Sequence, residues 1–262
     1  MSVSRSLVTA LMLAALTLGA AHAVLAGPVE YFEFDTNSAL PGNMYGVTPD
    51  GEVGFDGAFQ QNIPVAYTPK SGNYILHVDE SSNTSKFTLS TRPSIANGTA
   101  CLGFGLGGGN HPWYVSWAAT SGHVEESWNG QVQLLRGDGP RPAVSVGVMD
   151  IGDERQDFNP GAKHNARSEY VTTSGALSEA TWRPIYWTLG LGDGRFRRGF
   201  GGLSVPIDDH FKLAAEYDSL GINAGVAWGL NGGQTAQHWD LLGYFGFTKL
   251  KQPTFGLTAT FN

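Results

Sequence analysis

Large apolar residues alternate with small or polar ones along most of this chain. Residues 211–230, "FKLAAEYDSLGINAGVAWGL", show the pattern, broken only by "DSLG". The period of two puts successive side chains on opposite faces and predicts β-strands. "CLGFGLG" sets Leu102, Phe104 and Leu106 against Cys101 and glycines. "PWYVSWA" sets Trp113, Val115 and Trp117 against Tyr114, Ser116 and Ala118. "AVSVGVM", "IYWTLGLG" and the final "TFGLTATFN" repeat the pattern. Turn signals such as "GGGNHP", "GDGPRP", "GDGRFRRG", "PIDDH" and "LNGGQ" separate the runs,. About fourteen runs lie between Ala58 and Asn262. Two are weak: the first contains Pro64, which central strands avoid, and "KFTLST" is short,. The expectation is about twelve strands, with a range of ten to fourteen.

The start of the chain is different. Residues 1–26 carry Arg5, the apolar run "LVTALMLAALTLGAA", and small residues at signal-peptidase spacing, predicting cleavage after Ala23 or Ala26,. The run is shorter than the ~20 apolar residues of a transmembrane helix. Residues 27–57 have turn residues throughout and no sustained alternation. They fit a periplasmic lead-in, a plug inside a barrel, or a flexible arm. Residues 58–262 form the β domain.

Alternation alone does not say which face is wet. A soluble sandwich turns its apolar face inward; a membrane barrel turns it to lipid. Composition helps here. The chain has 36 Gly and only 15% charged residues, against ~25% charged in a usual soluble domain. The second face carries mostly Gly, Ala, Ser and Thr, as a confined lumen requires. Aromatics sit near run ends, at Trp113, Trp182, Phe211, Tyr217, Trp228, Trp239 and Phe261, matching interfacial girdles. The chain ends on an alternating strand with Phe261 next to last. The fold class expected is all-β: a closed, up-and-down antiparallel transmembrane barrel, with both termini periplasmic. The net charge of −7, one unit more negative without Arg5, argues against a nucleic-acid partner,.

"LGLGDGRFRRGFGGLSVPIDDHFKLAAEYDSLGINAGVAW" resembles the YjbH-like outer-membrane β-barrel family. The likeness rests on "GR…FGGL", on "AEYD" at Ala215–Asp218 and on "NAG" at Asn223–Gly225. "NIPVAYTPKSGNY" (62–74) is similar to that family's leading segment. The resemblance implies the bacterial outer membrane and a role in exopolysaccharide production or export, or in envelope assembly. Its implied partners are outer-membrane lipid or lipopolysaccharide, a polysaccharide, or export machinery.

Candidate sites follow from the strand phase. With Phe211, Leu213 and Tyr217 facing lipid, Lys212, Glu216 and Asp218 face the lumen, joined by Asn223 on the next strand. Lys212 and Glu216 are expected to pair, in a lining network or as a solute contact in a narrow pore. Arg195, Arg197 and Arg198 share one outer hairpin and are candidates for anionic lipopolysaccharide or polysaccharide, because guanidinium groups bind oxyanions bidentately. His123 with Glu125 and Glu126 is a weak metal trio. Ser121 with His123 is the nearest approach to a catalytic pair. "GLGGGN" lacks the Lys-Ser/Thr of a phosphate loop, and no G-x-S-x-G occurs. Cys101 is expected as a packed thiol. No catalytic residue, metal or cofactor is assigned, and a non-enzyme is expected. The rivals are an outer-membrane lipid-modifying enzyme and a soluble periplasmic carbohydrate-binding β-sandwich.

Overall fold

A computed structural model describes residues 39–81, 98–109, 111–120, 125–137, 141–152, 167–177, 183–230 and 238–262. Two short strands come first, β1 (Gly46–Val47) and β2 (Val53–Gly54). Twelve longer strands follow. They are β3 (Tyr74–Ser81), β4 (Gly98–Leu106), β5 (Trp113–Thr120), β6 (Glu125–Leu135), β7 (Ala143–Met149) and β8 (Ser168–Leu177), then β9 (Ile185–Gly192), β10 (Phe200–Pro206), β11 (Phe211–Tyr217), β12 (Ile222–Gly229), β13 (Trp239–Thr248) and β14 (Gln252–Phe261). Each pairs antiparallel with its neighbours in sequence, and β14 pairs with β3 to close a barrel. This is the all-β, up-and-down barrel that the alternation predicts, with twelve strands. Tyr74 lies opposite Phe261, so the ladder starts and ends at one end, here the near end. The β9–β10 and β11–β12 connections therefore lie at the far end.

The two faces separate cleanly. On β11, Phe211 and Leu213 are exposed while Lys212, Ala214 and Glu216 are buried in the interior. The outward positions of the other strands carry mostly Val, Leu, Ile, Ala, Gly and aromatic residues, with Thr173 on β8 and Pro253 on β14. A bulge between Gln133 and Leu135 turns both Leu134 and Leu135 outward while Gln133 stays inside,. Among the described strand residues no Lys or Arg points outward. The outward carboxylates Glu80, Glu126 and Glu169 each lie one residue from the far end of a strand. Tyr74, Trp113, Phe211, Trp239 and Phe261 ring the near end. Trp182 lies outside the described residues, as does "KFTLST".

The barrel is filled. Residues 39–68 run inside it, with Ala39, Leu40, Tyr45, Val47, Phe59, Ile63 and Ala66 fully buried. The segment descends to a hairpin, β1–β2, at the near end. It climbs through 55–62 toward the far end, descends again through 63–68, and leaves to become β3. The sequence boundary at Ala58 therefore moves: the wall begins at Tyr74, and 58–70 belongs to the inner segment. The physical reason is Pro64, which has no N–H for a ladder. Its carbonyl instead accepts from Thr172 Oγ1 on the wall. Inner glycines admit this segment. A Cβ at Gly105 would collide with the Lys70 carbonyl, and one at Gly202 would collide with the Gln60 side chain.

Candidate functional site

The strand β11 grips the climbing limb at two points. Lys212 and Glu216 share its inner face, one turned to the near end and one to the far end. Lys212 Nζ donates to the Phe55 carbonyl and, at 2.9 Å, to the Gly57 carbonyl. It also stands 4.9 Å from the centre of the Phe55 ring, within cation–π range. Glu216 does the opposite. Its Oε2 accepts from Gln61 N and its Oε1 from Asn62 N, both at 2.8 Å. A carboxylate accepting two successive backbone N–H groups is a strong, charge-assisted pairing. The expected Lys212–Glu216 pair does not form, because each charge is committed to the inner segment's backbone.

Asp218 and Asn223 complete the far-end cluster. Asn223 Nδ2 donates to Glu216 Oε1 at 2.8 Å and to Asp218 Oδ2 at 3.0 Å. Its Oδ1 accepts from Lys249 N at 2.8 Å. Asp218 Oδ2 also accepts from Asn62 Nδ2 at 3.3 Å and from Arg195 Nη2 at 3.4 Å. Its Oδ1 accepts from Leu220 N and Gly221 N. This closes the tight turn that carries Ser219 at φ 73°. All four lumen candidates are thus buried on the inner face, but they face packed polypeptide.

The three arginines separate. Arg195 is buried, 3% exposed, in the short helical turn Gly194–Phe196. Its backbone N donates to Ser168 Oγ, and its guanidinium turns to Asp218. It is not the outer polysaccharide contact expected of it, because an inward guanidinium paired with a buried carboxylate offers no outer surface. Arg197 is exposed at the far end and Arg198 half-buried. Ser121 and His123 lie outside the described residues. No cluster that could hold a metal occurs among the described residues. Cys101 is a buried thiol on the inner face.

Sequence reasoning missed three further anchors. The first is Asn262. Its Oδ1 accepts from Val53 N at 3.1 Å and its Nδ2 donates to Val53 O at 2.9 Å. The terminal amide thus pairs with the hairpin as a strand residue would. Beside it, Asp240 Oδ2 accepts from Phe55 N. The second is Arg183, which bridges Asp56 of the segment at 2.6 Å and Asp209 of the β10–β11 turn at 2.7 Å. The third is a buried series on β3 and β14: Thr258 Oγ1 lies 2.6 Å from His77 Nδ1, and His77 Nε2 lies 2.9 Å from Asp79 Oδ2. Hydroxyl, imidazole and carboxylate in this order are the parts of general-base catalysis. Here Thr258 Oγ1 donates to the Met44 carbonyl and Asp79 Oδ1 accepts from Thr99 N. The i, i+2 spacing of His77 and Asp79 in "YILHVDES" was the available signal for a shared inner face.

The last limb, 63–68, lies across the inner face of β6, β7 and β8. Val65 O accepts from Gln131 Nε2 at 3.0 Å, and Ala66 O accepts from Ser145 Oγ. Ala66 N donates to Ser174 Oγ at 2.8 Å, and Thr68 N donates to Gln133 Oε1 at 3.1 Å.

No family model matches the chain, and no curated protein is similar to it. Among solved structures, the chain is similar to the translocator domain of the autotransporter NalP from Neisseria meningitidis, at 12% identity and a TM-score of 0.34. That likeness covers 72% of this chain and 88% of that one. The class of this molecule therefore rests on its own geometry: a closed antiparallel barrel of twelve strands whose interior is occupied by its own chain.

Proposed function

We propose that this protein is a bacterial outer-membrane barrel, shut at rest by residues 39–68, that serves exopolysaccharide production or envelope assembly without being an enzyme. One observation carries the membrane part. Among the described residues the outward face is apolar on every strand apart from Thr173 on β8, and its charges are confined to one rim. A spanning barrel needs this, since a charge facing lipid at mid-depth costs ~2–4 kcal/mol if basic. Closure supports the same reading, because lipid cannot satisfy an open sheet edge. The exopolysaccharide role rests on the YjbH-like resemblance of 189–228. The non-enzyme reading is supported by the absence of a G-x-S-x-G and by the use of His77, Asp79 and Thr258 to hold Met44 and Thr99.

The test is fractionation of cells expressing the full chain. The protein should partition with outer membranes and migrate faster unheated than heated on a detergent gel. Recovery as a soluble periplasmic protein would overturn the reading. In planar bilayers the wild type should not conduct, since the segment fills the lumen. A deletion strain should lose extracellular polysaccharide, and unchanged polysaccharide would remove that role.

A further inference from the structure

We propose that the lumen is a binding site for an extended polypeptide, and that residues 39–68 are the chain's own occupant of it. The proposal rests on the reading of a barrel shut at rest, and it names what the opened lumen takes.

The wall's polar side chains point into the lumen and meet the segment there. Most of their bonds to the segment reach its backbone, not its side chains. The limb 63–68 is the clearest case. Thr172, Gln131 and Ser145 donate to the carbonyls of Pro64, Val65 and Ala66. Ser174 and Gln133 accept from the N–H groups of Ala66 and Thr68. The same holds elsewhere. Lys212 takes carbonyls, Glu216 takes N–H groups, Ser204 Oγ accepts from Phe59 N, and Ser116 Oγ donates to the Ala39 carbonyl.

Backbone groups are common to every peptide, so a wall that reads them tolerates many sequences. A closed barrel has no free sheet edge to lend to a guest strand. Buried peptide groups must nonetheless be paired, and here the wall's amides, hydroxyls and two charges supply the pairing. The two charges do so in fixed roles. Lys212 can only donate and an ionised Glu216 can only accept. Peptide carbonyls and N–H groups are also fixed in role, whereas sugar hydroxyls are not. The partner this wall fits is therefore an extended segment of another protein, with small or apolar side chains like those of Val65 and Ala66.

The chain carries its own reporter. Cys101 is its single cysteine, and it packs against Ala39 and Ala118 inside the lumen. Full-length protein is purified in detergent, with folding confirmed by faster migration unheated. The probe is a fluorescent peptide of residues 58–70, read by anisotropy. Wild type should leave the peptide unbound and Cys101 unreactive to a bulky maleimide. Glu216→Gln and Lys212→Ala, made separately, should expose Cys101 and bind the peptide saturably. A shuffled peptide of the same composition should bind within about threefold, and one N-methylated at the Ala66 and Thr68 positions about tenfold more weakly, since two buried bonds are lost.

Three results would overturn the proposal. In one, folded variants have a reactive Cys101 yet bind no peptide. In another, the N-methylated peptide binds as well as the natural one, or an oligosaccharide displaces the peptide, which would assign the lumen to a glycan. In the third, Cys101 stays protected in both variants, so the segment is a permanent part of the wall and not an exchangeable occupant. None of these results bears on membrane partitioning, so failure here and failure of the barrel reading remain distinguishable.

Discussion

Glu216 joins two backbone N–H groups of the inner segment to a side-chain amide on the next strand, with both carboxylate oxygens in use. Replacing it by Gln keeps the shape but leaves one oxygen, and turns an NH2 donor toward another donor. A buried donor left unpaired costs ~1–3 kcal/mol. Glu216→Gln should therefore lower the unfolding midpoint in urea and raise the rate of Cys101 labelling, while the barrel stays folded on gels. Lys212→Met should act the same way from the other end of the limb, by orphaning the Phe55 and Gly57 carbonyls. Much of this cluster was legible at the level of faces. Strand phase alone puts Lys212, Glu216, Asp218 and Asn223 inside, because a charge on the other face would meet lipid. What they touch was not legible, since a period of two says nothing about what fills the interior. Arg195 was misplaced for a related reason. Its position in a hairpin reads as surface, but a single helical turn tucks it against Asp218.

At the level of elements, the final strand and the inner hairpin are one device. Asn262 follows the outward Phe261, and its side-chain amide pairs with both backbone groups of Val53. Asn262→Ala should leave the β14–β3 ladder intact, because Phe261 still faces Tyr74. It should speed hydrogen exchange in 48–56 while exchange in β13 and β14 stays unchanged. Equal protection in both proteins would mean that Asp240 and Asn73 hold the hairpin without it. The β10–β11 turn gives a pH test. Asp208 Oδ1 accepts from His210 N and Phe211 N, each at 2.7 Å. These bonds, His210 first, hold its carboxyl below the usual range,. A depressed folded pKa contributes stability above the ordinary value, and the contribution is lost as pH falls through the folded one. Asp208→Ala should thus melt below wild type at neutral pH, and the gap should close as the medium becomes strongly acidic. A gap that widened with acid would contradict the turn's role. "PIDDH" announced this turn because Asp supplies its own acceptor. The inner segment announced only what it was not, through Pro64 and the lack of alternation.

For the whole molecule, the decisive claim is that the outward face meets lipid, and depth is what tests it. Leu102 lies at the middle of β4 and Leu106 at its near end, opposite Trp113, and both are outward. In a membrane, Arg at mid-depth costs ~2–4 kcal/mol, falling to ~0–1 kcal/mol near the interface. In a soluble barrel both positions would face water, and Arg would cost little at either. Leu102→Arg should therefore destabilise the protein refolded into lipid vesicles by that larger amount, and Leu106→Arg by much less. The difference should vanish for inner neighbours only if they too were wet, and the packing of Ala214 against Met44, Phe59 and Tyr244 argues that they are not. Ala214→Arg should instead displace the segment and expose Cys101, because there is no room beside Phe59 for a guanidinium. Equal, small costs at Leu102 and Leu106 would place this barrel in water, whatever its topology. A steep dependence on depth outside, with a separate collapse inside, is what a lipid-facing shell around a polypeptide core requires.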